Sequence, residues 1–91
     1  MIKIVRLASG EDVIAQIEKK GDSVTLKSPH RLILSQQGLG SMPLCPFSKS
    51  SDYVVNAQNI IFECEPDDEI SESYANQVGA ILVPTKGIVT P

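Results

Sequence analysis

Few side chains in this sequence could do covalent chemistry, and their spacing does not assemble them into a working set. The chain has one histidine, His30, and two cysteines, Cys45 and Cys64. A nucleophilic Ser or Cys needs a base within reach. Ser9 lies in a Ser-Gly-Glu-Asp turn, and Cys45 is flanked by Leu44 and Pro46, neither of which lowers a thiol pKa. A single histidine and two cysteines outside any CxxC spacing leave a tetrahedral zinc site within one chain short of ligands. The acids Glu63, Glu65, Asp67, Asp68, Glu69 and Glu72 lack the alternating ligand loop with a central glycine that a calcium site needs. No glycine-rich phosphate loop occurs. The expectation is a non-enzymatic chain with no metal and no cofactor.

What remains is hydrogen-bonding chemistry. The amides of Asn56 and Asn59 can read the edges of unpaired bases. They can equally satisfy backbone groups in a tight turn, which Asn does well. Lys19, Lys20, Lys27, His30 and Arg31 could face phosphates or could simply solvate the outer faces of strands. Charge is uneven: residues 1–50 carry about +3 and residues 51–91 about −6, for a net −3. The acidic second half is a poor binder of polyanions, and the chain lacks a general nucleic-acid footprint.

The elements that must position these groups are mostly strands. Ile2 and Ile4 share one face of an opening run, with Val5 and Leu7 on the other. Val13, Ala15 and Ile17 share a face of a second run, across the Ser9–Asp12 turn. Glu18–Asp22 reads as a turn centred on Gly21, and Val24 and Leu26 start a third strand that Pro29 interrupts. Residues 35–51, punctuated by Gly38, Gly40, Pro43 and Pro46, are the least regular, with a short ribbon possible around Met42, Leu44 and Phe47. Tyr53-Val54-Val55 and Ile60-Ile61-Phe62 are strand cores on either side of Asn56–Asn59. A helix is expected over about 67–79, with an acidic start, Ile70, Tyr74 and Val78 on one stripe, and Gly79 as its stop. An extended tail would fill 80–91. No apolar run approaches membrane-spanning length, and no basic segment precedes an apolar block at the start, so a cytoplasmic chain with reduced thiols is expected. A disulfide would imply an oxidising compartment.

Val5, Leu7, Gly10, Val13, Ala15 and Ile17, followed by Val55-Asn56-Ala57-Gln58-Asn59-Ile60, resemble the two motifs of the Sm-like (LSm) family over about residues 2–64. Ala15 stands where that family usually has Gly at a sharp bend, and Asn56 stands where its second motif has Arg. The chain is similar in character to small Sm-like proteins of marine-phage (cyanophage) type, which lack a leading helix and end in one. The resemblance implies one domain over residues 1–91: a mainly β, strongly bent antiparallel barrel of about five strands with a C-terminal helix. It implies a ring of about five to seven copies, closed where the strand at Tyr53, Val54 and Val55 meets the strand at Ile60, Ile61 and Phe62 of a neighbour. It also places Asp22, Thr25, Asn56 and Asn59 at an RNA site from which the usual Arg is missing.

Two functions follow from this resemblance. One is a ring-forming protein that binds single-stranded RNA weakly, through identical sites repeated around the ring. The other is a structural or adaptor ring, of phage or host, whose partners are proteins. No membrane partner is expected.

Overall fold

A computed structural model describes residues 1–82, and these form six strands, most of them built on alternation of apolar and polar residues. The strands are β1 (Ile2–Leu7), β2 (Asp12–Lys20), β3 (Ser23–Ser35), β4 (Gly38–Pro43), β5 (Asp52–Asn56) and β6 (Ile60–Cys64). A 3-10 turn over Ala57–Asn59 joins β5 to β6, and the one α-helix among the described residues, α1, spans Asp68–Leu82. All pairings are antiparallel, in the order β4-β3-β2-β1-β6, with β5 also on β3.

Six strands replace the expected five because β3 serves two partners along one edge. Its first half, Ser23–Lys27, pairs with β5, and its second half, His30–Ser35, pairs with β4. The excursion 44–51 separates those partners. Gly38, Gly40 and Pro43 therefore lie in a strand and not in the irregular region that their types suggest. Six residue pairs with β3, from His30↔Pro43 to Ser35↔Gly38, outweigh the weak local preference. Pro43 sits at the strand end, where a missing N–H is tolerated.

The sheet is not a closed barrel: β5 pairs only with β3 and β6 only with β1 among the described residues. It is nevertheless strongly bent. Asn56 lies opposite Ser23 and Ile60 opposite Leu7, positions that a flat sheet would hold more than about 25 Å apart. The turn between them spans only about 8 Å. Curling brings the two margins together, and backbone bonds hold them there: Ala57 N to Asp22 O at 2.8 Å and Ala8 N to Asn59 O at 2.7 Å.

The bend centres on Ala15. The β2–β3 register passes from Ile14↔His30 to Gln16↔Lys27, so Ser28 and Pro29 together oppose Ala15. Such a bulge adds twist and curvature. Ser28 takes φ 50°, Pro29 has no N–H to leave unpaired, and Ala15 is fully buried. The third strand thus runs on through Pro29 where an interruption was expected. Gly21, at φ 61°, supplies the left-handed residue of the tight β2–β3 turn.

Each face of the bent sheet has its own core. Inside, Val5, Val13, Ala15, Val24 and Leu26 are buried, with Leu7, Ile17, Leu44, Val55 and Ile60 packed against them. Outside, α1 lays Ile70, Tyr74 and Val78 on Ile2, Ile4, Ile14 and Leu32. Asp67 caps the helix, its Oδ1 accepting from Ile70 N at 2.9 Å, and Asp68 and Glu69 fill the first turn.

The helix continues through Gly79, the expected stop. A glycine costs a helix only about 1 kcal/mol relative to Ala, and Ala80, Ile81 and Leu82 carry on the helical run. Ala80–Leu82, expected in an extended tail, are helical; the rest of that tail, 83–91, lies outside the described residues. No helix among the described residues is long and apolar enough to cross a membrane.

Candidate functional site

Two features of the bent sheet bear on the expected sites: its two edges, unpaired among the described residues, and the turn cluster between them. Alternation along β5 turns Val55 into the inner core and leaves Val54 68% exposed. Along β6, Ile60 packs inward, while Ile61 and Phe62 are 63% and 44% exposed. Ile61 falls at a register shift between Arg6 and Leu7 of β1 and so has no partner opposite it. Each edge strand therefore presents apolar side chains beside a backbone margin that is unpaired among the described residues.

The six expected contact residues divide accordingly. Val55 and Ile60 serve the core, Val54, Ile61 and Phe62 face out, and Tyr53 is half-buried. The Tyr53 hydroxyl donates to Ser50 O at 2.7 Å and so steadies the preceding loop. Phe62 is not bare. The Arg6 guanidinium lies 5.1 Å from its ring centroid and makes two bonds to the Asp12 carboxylate, at 2.6 and 2.9 Å. That pairing raises the Arg6 pKa and lowers that of Asp12, in each case chiefly through the hydrogen bond. Glu11 is likewise lowered, mainly because Ser9 Oγ donates to its carboxylate.

The residues expected at an RNA site come together in part. Asp22 and Asn56 meet at one end of the β3–β5 pair, where Asp22 O accepts from Ala57 N. Thr25 is on β3 opposite Val54, half-buried and two residues further along. Asn59 is at the other end of the 3-10 turn, its carbonyl bonded to Ala8 N in the β1–β2 turn. Asn56 caps that turn: its Oδ1 accepts from Gln58 N at 2.9 Å. Its Nδ2 donor is not used by that bond.

Of the basic set, Lys20 and Arg31 are exposed, two lysines are held in ion pairs and the histidine is buried. Lys19 pairs with Glu63 at 2.7 Å and Lys27 with Glu18 at 3.7 Å. His30 is buried at 5% exposure beneath α1. Its ring meets the Tyr74 ring edge-on, and burial lowers its pKa. Cys45 and Cys64 are both exposed free thiols, not packed inside strands as their type would suggest. Among the described residues no group of His, Cys, Asp or Glu could hold a metal ion.

One surface was missed by sequence reasoning. Beyond the body of the sheet the β3–β4 hairpin sets Leu34 opposite Leu39, 82% and 49% exposed. Beside them runs a groove of about 200 Å³ between the hairpin and α1, lined by Leu32, Leu39, Ile70 and Tyr74. The apolar character of Leu32–Leu34 was visible, but its strand partner was hidden among glycines.

No protein-family model matches the chain, and no curated protein matches its sequence.

Proposed function

We propose that the chain is a non-enzymatic, Sm-like assembly protein that completes its bent sheet by pairing β5 of one copy with β6 of the next. The observation that supports this reading is the pair of apolar, unpaired edges, Val54 on one and Ile61 and Phe62 on the other. A single heterologous contact of this kind, repeated with rotation, closes a ring and leaves no edge exposed. Reduced, exposed thiols suit a cytoplasmic setting, that of the host if a phage encodes the protein.

On that ring Asp22, Thr25 and Asn56 would recur once per copy, making a multivalent, weak site for single-stranded RNA. The Asn56 amide donor, without a partner among the described residues, favours this function. Engagement of Lys19 and Lys27 in ion pairs, together with the exposed Leu34–Leu39 pair, favours the second reading, an adaptor ring that binds proteins.

Light scattering gives the assembly, and titration of uridine-rich and adenine-rich RNA at two salt concentrations separates the functions. The RNA reading requires salt-sensitive binding that Asn56→Asp reduces, since Asp keeps the acceptor for Gln58 N but loses the donor. Absence of RNA binding at low salt leaves the adaptor reading. A monomer contradicts both.

A further inference from the structure

We propose that the loop between β4 and β5, residues 44–51, docks on the β6–α1 junction of the next copy; this rests on the edge pairing proposed above. The chain path leads there. Antiparallel overlap of Asp52–Asn56 with Ile60–Cys64 sets Asp52 of one copy against Cys64 of the next. The loop that precedes Asp52 and the segment that follows Cys64 then lie at the same end of the contact.

The loop is shaped before it meets a partner. Leu44 N donates to Pro29 O at 2.9 Å, Ser28 N to Ser51 O at 2.8 Å, and Ser48 N to Cys45 O at 3.1 Å. Tyr53 holds Ser50 from below. Ordering costs are thereby met within one chain. Yet this anchored loop leaves Phe47 95% exposed, the most exposed of the large apolar side chains among the described residues. Aromatic side chains, Phe among them, are enriched in protein interfaces relative to the rest of the surface.

Charge selects the partner surface. Lys49 is the one charged residue of the loop, whereas the junction carries Glu65, Asp67, Asp68 and Glu69, all exposed. Glu65 is paired with Lys3 at 3.2 Å, and Asp67 caps the helix. Among the described residues Asp68 and Glu69 form no ion pair; they receive Lys49 of the neighbour, while Phe47 covers Pro66 and Ile70, both half-buried. The partner is thus a second copy of this chain.

The test is sedimentation velocity over a concentration series on the full chain, with circular dichroism to verify folding. Phe47→Ser and Lys49→Glu, both at the surface, should each raise the concentration needed for assembly by about tenfold. Asp68→Lys should weaken assembly alone and restore it when combined with Lys49→Glu. If wild type assembles and these variants match it, or the charge swap gives no recovery, the loop contact is overturned and the edge pairing stands. A wild-type monomer at all concentrations overturns both.

Discussion

The ring of His30 on β3 meets the ring of Tyr74 on α1 edge-on, with centroids 5.7 Å apart and planes at 88°. The Tyr74 hydroxyl donates to the Lys27 and Ser28 carbonyls at 3.1 and 2.9 Å, so the helix is tied to the β-bulge that bends the sheet. Burial pushes the Tyr74 hydroxyl up to about 12, which keeps it a donor throughout the working range of pH. His30 Nδ1 is buried without a hydrogen-bond partner among the described residues. Helix docking and sheet curvature therefore share one junction.

Acid should loosen that junction. Burial lowers the His30 pKa from its ordinary 6.5, so the docked state takes up protons less readily than the unfolded chain. Stability is then greatest above pH 6.5, declines as pH falls below it, and levels off beneath the lowered pKa. Denaturant midpoints between pH 7.5 and 5 should show this slope, and His30→Phe should flatten it. An equal slope in the variant would assign the effect to the carboxylates instead.

Tyr74→Phe removes the hydroxyl and leaves the two carbonyls of the bulge without that donor. A loss of about 0.5–1.5 kcal/mol is expected in urea unfolding, with little change in helix content. Tyr74→Ala also opens a cavity and should cost about 3–5 kcal/mol.

Ala15 is fully buried in the inner core at the bend. Ala15→Leu should destabilise by about 1–3 kcal/mol through overpacking of the inner core, measured by the urea midpoint. A neutral outcome would mean that the bulge at Ser28 and Pro29 can open to accept a larger residue.

Much of this arrangement was readable in the sequence, because period-two patterning is set by burial itself. Ile2 and Ile4 do share one face, which the helix covers, and Val5 and Leu7 share the other, on the inner core; a bend at Ala15 was what the family resemblance implied, and the register shift lies there. The parts that escaped are those in which tertiary pairing overrides local preference. Gly38, Gly40 and Pro43 form a strand only because β3 lies alongside. Gly79 stays helical although its type signals an end, and it lies beyond a face already fixed by Ile70, Tyr74 and Val78. The split of one edge into β4 and β5 depends on the 44–51 excursion, which no periodicity marks. Of the turn cluster, the Asn-rich segment was legible as a turn. Its meeting with Asp22 requires a curled sheet, and the Lys19–Glu63 pair joins residues far apart in sequence.

Charge placed on the edges should block self-association and leave the fold intact. Val54→Lys and Ile61→Lys alter exposed positions, so each should unfold within about 0.5 kcal/mol of a wild-type protomer. Both should sediment as a 9.8 kDa monomer at concentrations where wild type is several times larger.

Amide hydrogen exchange of the wild-type protein, resolved along β5 and β6, tests the central claim most directly. In an antiparallel strand alternate N–H groups point to opposite sides, so some amides of each edge strand point away from β3 or β1. Edge pairing between copies predicts that these outward amides are protected at high protein concentration to the level of β2, and lose that protection on dilution or in Val54→Lys. Rapid exchange of those amides in a sample that light scattering shows to be multimeric would contradict it.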